Sequence, residues 1–86
     1  MKTINEHYNE LGYLILKILE EHYLCAEEII NNLRKRKIEF DERKLYPVLS
    51  GLLLKNLLCS NWLDNDNGLP VKHYHLTRSG FNFIHN

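Results

Sequence analysis

The sequence contains few of the residues that build disulfide scaffolds, membrane spans or flexible linkers. Its 86 residues include two cysteines, two prolines, four glycines and one tryptophan. Cys25 and Cys59 form no CxxC pair, which favours two reduced thiols over a disulfide framework. The uncharged apolar stretch at residues 11–16 is far shorter than the roughly 20 residues that span a bilayer. We therefore expect a cytoplasmic protein without a membrane anchor.

The chain also lacks the motifs of enzymes and of metal proteins. It has no glycine-rich phosphate loop, no nucleophile motif and no HExxH pair. Its five histidines, among them His73 and His75, show no ligand spacing typical of zinc. We expect no catalysis, no cofactor and no bound metal.

What is present is the composition of a small globular domain. Hydrophobic residues make up 44% of the chain and charged residues 26%, which is ordinary for a folded protein and too apolar for a disordered one. The length allows one domain, so we predict a single domain over residues 1–86.

Apolar residues recur with helical spacing in three segments. The first predicted helix covers about residues 8–21, and the second has Glu27 and Glu28 in its first turn and basic residues at its end. The third covers about residues 42–55, with Asp41 as its N-cap and Asn56 in the left-handed conformation after its end. Residues 22–25 read as a short extended link.

The last third of the chain has the pattern of a β-hairpin. Residues 57–63 and 71–77 are strand candidates, and residues 64–68 between them are rich in turn formers. Trp62 is expected in the core of this hairpin. Thr77 is placed to cap a short final segment. The element order predicts an α+β fold, a winged helix-turn-helix with three helices followed by a two-stranded wing.

Two motifs raise this interpretation to a family resemblance. Leu45-Tyr46-Pro47 on the third helix and the Tyr74-x-Leu76-Thr77-x-x-Gly80 ending of the wing resemble the PadR family of bacterial transcriptional regulators. Glu28-Ile29 falls on that family's usual Glu-Ile, and the resemblance covers about residues 11–80.

The sequence departs from the family pattern at several places. Arg43-Lys44 replaces the usual Gly-Thr before Leu-Tyr-Pro, Ala26-Glu27 replaces Gly-Tyr, and His73 replaces the first tyrosine of the wing pair. The family commonly dimerises through a long C-terminal helix, which we expect to be missing or reduced to a short segment here.

Charge is unevenly distributed although the total is zero. Residues 1–33 carry two basic and six acidic side chains, whereas residues 34–55 carry seven basic and three acidic ones. The net charges are therefore −4 and +4, and residues 56–86 are balanced. The positive segment coincides with the predicted turn and third helix, which face the phosphates in a helix-turn-helix.

These observations predict a sequence-specific DNA-binding regulator that represses transcription by inserting its third helix into the major groove of double-stranded DNA. An arginine at the start of that helix can pair with guanine, and hydroxyl groups can contact phosphate. The predicted DNA contacts are Arg34, Lys35, Arg43, Lys44, Tyr46, Ser50, Lys72 and His73. Asp64 and Asp66 would repel phosphate, so we expect the wing to engage weakly.

Surplus apolar residues predict a homodimer formed by the N-terminal helix and the C-terminal tail. They are Tyr8, Leu53, Leu54, Leu57, Leu58, Phe81, Phe83 and Ile84. The alternative function is a winged helix that serves as a protein-interaction module without binding DNA. The sequence identifies no small-molecule effector.

Overall fold

The computed structural model describes residues 4–64 and 66–85, with side chains from residue 10 onward. Its four helices are α1 (Ile4–Ile18), α2 (Ala26–Lys35), α3 (Glu42–Leu54) and α4 (Arg78–His85). The three predicted helices are confirmed, although α1 begins and ends earlier than its apolar stripe indicated. Ile18 at the end of α1 and Leu19 just after it are both buried in the core, and the Leu19 N–H still donates to the Ile15 carbonyl oxygen at 3.0 Å, as in a helix. No helix in the described ranges is long and apolar enough to cross a membrane.

Local side-chain chemistry sets the helix ends, as predicted. The Asp41 carboxylate accepts a hydrogen bond from the Arg43 backbone N–H at 2.9 Å and so caps α3. After α3 the chain turns at Asn56, which has φ of 61°, a conformation that asparagine tolerates better than most residues. Thr77 precedes α4, and its Oγ1 accepts from the Gly80 backbone N–H at 2.9 Å.

The sheet has three antiparallel strands instead of the two predicted. They are β1 (Leu24–Cys25), β2 (Leu58–Asp64) and β3 (Pro70–Leu76), in the spatial order β1-β3-β2. The link expected at residues 22–25 thus contributes a strand, with Leu24 opposite Tyr74. Two residues are too short to show an alternating pattern, and their pairing depends on the edge that β3 offers them.

One hydrophobic core joins all four helices to the sheet. Alternation along β3 directs Tyr74 into this core and leaves His73 and His75 on the opposite face. Removal of apolar surface from water is the main force that holds the helices on the sheet. The most buried side chains include Ile15, Leu16, Leu19, Ile29, Leu33, Leu45, Val48, Leu49 and Leu58.

The prediction that Trp62 lies in the hairpin core is wrong. Trp62 is 67% exposed, because the hairpin extends beyond the helices and every described β2 residue from Asn61 onward is exposed. Only the base of the hairpin, near Leu58 and Tyr74, is covered by the core.

Fewer of the apolar residues predicted to form a dimer interface are exposed than expected. Leu58 and Ile84 are buried in the core, and Leu53 and Leu57 pack against it. Leu54 is 89% exposed, and Phe81 and Phe83 are also exposed. The Tyr8 side chain lies outside the described residues.

Candidate nucleic-acid interface

The outward face of α3 is the centre of the candidate interface. Its apolar stripe, built on Leu45 and Leu49, is fully buried, and this fixes which side of the helix meets solvent. Arg43, Tyr46 and Ser50 are exposed, and their spacing of three and four residues places them along one face. This face can present a cation and two hydroxyl groups to a groove.

An ion pair joins the end of α2 to the start of α3. The Arg34 guanidinium contacts the Glu42 carboxylate, and both side chains remain largely exposed. Lys35, the last residue of α2, is exposed beside Arg34. Exposed ion pairs contribute only about 0–1 kcal/mol, so Arg34 can exchange Glu42 for another anion at small cost.

Arg43 is held by the acid that caps its own helix. Its Nε donates to Asp41 Oδ1 at 3.1 Å and its Nη2 donates to Oδ2 at 3.0 Å. These bonds from Arg43 hold the pKa of the Asp41 carboxyl below its usual value, and the carboxylate raises the pKa of Arg43. The guanidinium lies at the helix surface, with 90% of its side chain exposed.

The Tyr74 ring is the buried part of the wing. Lys72 Nζ lies 5.6 Å from the centroid of that ring, within the range of a cation–π contact. Burial raises the pKa of Tyr74, and the nearby Tyr46 raises it further. Tyr46 itself keeps 57% of its surface exposed. Lys72 and Tyr74 are two residues apart on β3, so both lie on the same face of the sheet.

His73 is turned away from this group. The His73 ring pairs Nδ1 with the Val71 carbonyl oxygen at 2.9 Å, and its Nε2 lies 3.6 Å from Glu28 Oε1. Only 19% of the His73 side chain is exposed. Lys44 is exposed at a groove that Glu10 also lines, to one side of the α3 face.

The wing tip differs in character from the helices. The sequence has no lysine or arginine between Lys55 and Lys72. Instead, Trp62 and Leu69 are exposed there together with Asp64 and Asp66. This tip offers phosphate no positive charge.

Sequence reasoning missed three residues that shape the interface. Asp41 was recognised as a cap but not as the partner of the Arg43 side chain, although the spacing of two residues was a usable signal. Glu42 pairs with a residue eight positions earlier, across a turn whose geometry no local pattern specifies. The position of Tyr74 between Leu24 and Ser60, which buries its ring and places Lys72 over it, depends on the register of the sheet.

The α2–turn–α3 unit, the exposed face of α3 and the hairpin after it define a winged helix-turn-helix protein. The sequence profile of the transcriptional regulator PadR-like family matches residues 15–86. The chain belongs to this family, whose members are transcriptional regulators and not enzymes.

Solved structures agree with this assignment. A PadR-like transcription factor from Bacteroides fragilis is 31% identical with a TM-score of 0.85, over 94% of this chain and 79% of that one. A PadR family transcription regulator from hypervirulent Clostridium difficile R20291 is 31% identical with a TM-score of 0.79, over 86% and 78%.

A third structure shares the fold at lower identity. Bacillus subtilis PadR, solved in complex with operator DNA, is 24% identical with a TM-score of 0.78, over 88% of this chain and 45% of that one. A comparison with curated proteins finds no match.

Proposed function

We propose that this chain, as a single winged-helix domain over residues 1–86, represses transcription by binding double-stranded DNA in the cytoplasm. In this proposal α3 enters the major groove and the residues at the α2–α3 turn contact phosphates. Arg43 reads a guanine, and Tyr46 and Ser50 donate hydrogen bonds to the DNA backbone.

The observation that carries this proposal is the coincidence of charge and geometry. Of the three segments compared, only residues 34–55 have a positive balance, seven basic side chains against three acidic ones, and they form the end of α2, the turn and all of α3. Arg34, Lys35, Arg43 and Lys44 are all exposed there. Neutralising phosphates with such side chains releases counterions and supplies most non-specific DNA affinity.

The comparisons support the same function. Bacillus subtilis PadR, which shares this fold, was solved in complex with operator DNA. By analogy, α3 is the element that we assign to the groove. His73 was predicted as a contact too, but its position against Glu28 makes it the least favoured of the eight.

We assign the active form to a homodimer on a two-fold operator. Exposed apolar groups on three elements support this: Tyr13 on α1, Leu54 on α3, and Phe81 and Phe83 on α4. An isologous dimer matches two recognition helices to half-sites about one helical turn apart. A dimer that occupies a promoter in this way blocks polymerase. We therefore propose that the protein represses transcription and does not activate it.

Fluorescence anisotropy with DNA from upstream of the protein's own gene tests the proposal. The double substitution Arg43→Ala with Lys44→Ala should weaken binding at least about tenfold, because a lost bidentate arginine contact alone costs about 1–3 kcal/mol. The slope of log K against log salt should also shrink by about one unit for each lost phosphate contact.

Lys17→Ala with Arg78→Ala provides the matched control, since it removes the same charge from α1 and α4. Its affinity should stay within about threefold of wild type, as expected for distant screened charges. Absence of binding at low salt, or equal losses in both double variants, would refute the proposal.

A second candidate is a protein-interaction module. The pairing of Arg34 and Arg43 with acids, together with the apolar and acidic wing tip, favours it. Co-purification with a stoichiometric protein partner, combined with no affinity for DNA, would identify this function.

A further inference from the structure

Three side chains with different metal-binding chemistry meet on the sheet face that is turned away from the core. Cys25 ends β1, Glu28 lies in the first turn of α2, and His73 lies on β3 directly opposite Cys25. One ligand atom from each lies within 4.8 Å of the other two. No spacing rule reveals this cluster, because its members come from three separate elements.

The His73 ring is oriented for a ligand. The Val71 carbonyl oxygen, 2.9 Å from Nδ1, can only accept a hydrogen bond, so Nδ1 carries a hydrogen and Nε2, 3.6 Å from Glu28 Oε1, is the ring nitrogen available to a metal ion. A cation that replaces the proton on Nε2 can be bound by this nitrogen and by the Glu28 carboxylate together, as metal ions are by imidazole and carboxylate ligands. A backbone carbonyl that fixes the second ring nitrogen is also the usual support of a metal-bound histidine.

The other two groups are held in place by the backbone. Glu28 Oε1 accepts a hydrogen bond from the Cys25 N–H at 3.0 Å, and this bond keeps the pKa of Glu28 below its usual value. Burial raises the pKa of the Cys25 thiol, so a metal ion must displace its proton on binding. Glu28 is 51% exposed, which leaves the cluster open to water.

We propose that Cys25, Glu28 and His73 bind a divalent transition-metal ion of the zinc class, with water as a fourth ligand. Thiolate and imidazole select zinc-like ions over magnesium and calcium, which prefer oxygen ligands. The bound ion joins the start of α2 to the central strand of the sheet. The site shares with the predicted DNA contacts His73, the least favoured of them, and the proposal does not depend on DNA binding.

Titration of the reduced protein with Co²⁺ tests this site directly. One equivalent of Co²⁺ should produce a near-ultraviolet thiolate-to-cobalt band and the visible bands of a four-coordinate ion, and Zn²⁺ should displace it. Zn²⁺ should also raise the Tm of the wild-type protein, because a ligand that binds only the folded state stabilises it.

Two substitutions remove ligands without disturbing the helix. Cys25→Ser keeps a good N-cap for α2, and Glu28→Gln keeps an oxygen that accepts from the Cys25 N–H. Cys25→Ser should abolish the thiolate band and the Zn²⁺-dependent rise in Tm. Glu28→Gln should weaken Co²⁺ binding at least about tenfold, the lower end of what even supporting residues contribute to metal affinity.

The chain offers a matched control on the same sheet face. Cys59 Sγ lies 3.1 Å from His75 Nε2, but within the described residues this pair has no carboxylate or third ligand close enough to complete a site. Cys59→Ser should therefore keep both the band and the stoichiometry. A wild-type protein without a thiolate band, a band that survives in Cys25→Ser, or a band that is lost in Cys59→Ser would each overturn the proposal.

Discussion

Two junctions between elements of this molecule are held by different kinds of interaction. The first, the turn junction, is the α2–α3 connection, which the Arg34–Glu42 ion pair crosses and beside which the Asp41–Arg43 pair lies at the start of α3. The second, the latch junction, brings the end of β3 and the start of α4 against the segment that follows α3. It is held by hydrogen bonds to backbone atoms and by close backbone packing.

The latch junction is centred on Thr77. Its N–H donates to the Leu57 carbonyl oxygen at 3.2 Å, and its hydroxyl donates to the Asn56 carbonyl oxygen at 2.7 Å. The same hydroxyl accepts from the Gly80 N–H. Gly80 is buried, and a Cβ placed there would lie 2.1 Å from the Leu57 oxygen.

The difference between the two junctions suggests that one determines stability and the other determines DNA binding. Exposed ion pairs contribute little and can be exchanged for phosphate contacts, whereas a buried backbone contact has no alternative partner. We therefore expect latch substitutions to change the free energy of unfolding and turn substitutions to change affinity for DNA.

Gly80→Ala should have the largest effect. The added methyl group overlaps a backbone oxygen, so helix α4 must shift, and the free energy of unfolding should fall by about 3 kcal/mol. Urea denaturation measures the loss. Gly12→Ala is the control, because its Cβ would meet Val48 Cγ1 at an ordinary 3.6 Å. That variant should be equal to wild type or up to about 1 kcal/mol more stable.

Thr77→Ala should have the next largest effect. It removes the cap of α4 and the bond to the Asn56 carbonyl oxygen, which together should cost about 2 kcal/mol in unfolding experiments. Thr77→Ser keeps the hydroxyl and should recover most of this loss. If both variants are equally unstable, the hydroxyl is not the group that holds the latch.

Glu42→Gln should change stability by about 0.5 kcal/mol or less, since the pair that it breaks is exposed. Because Arg34 is then free of its acid, DNA affinity should rise about twofold, the equivalent of a lost competing pair of that strength. A loss of stability as large as that of Gly80→Ala would contradict the comparison between the junctions.

The smallest expected effect is a pH dependence at Asp41. Arg43 lowers the pKa of Asp41 in the folded state, so the stability that this pair adds is present above the usual Asp pKa of about 4 and is lost as pH falls through the lowered value. Asp41→Asn keeps a cap but removes the titration. The urea midpoints of wild type and Asp41→Asn should therefore converge as the pH falls. If the difference between the two midpoints does not change with pH, the Asp41–Arg43 pair does not contribute to stability.

Local chemistry explains what sequence reasoning predicted correctly. The caps at Asp41 and Thr77 and the left-handed Asn56 depend on residues within a few positions, so the sequence contains the signal for them. The apolar stripes of the helices are similarly local, and the family motifs around Leu45-Tyr46-Pro47 add the overall arrangement.

What was missed depends on distances that no local pattern encodes. Strand β1 exists because β3 returns beside it, some fifty residues later in the chain. Trp62 is exposed because the hairpin is longer than the layer of helices beneath it. The Arg34–Glu42 pair and the cluster of Cys25, Glu28 and His73 likewise form only once the tertiary fold exists.

The position of β3 at the centre of the sheet has a consequence for synthesis. Neither β1 nor β2 can find its partner until residues 70–76 have left the ribosome, whereas α1, α2 and α3 are complete by Leu54. A nascent chain leaves the ribosome N-terminal end first, at about 5–20 residues per second. The side of the three helices that packs on the sheet therefore stays uncovered until β3 is synthesised, because β3 pairs with both other strands.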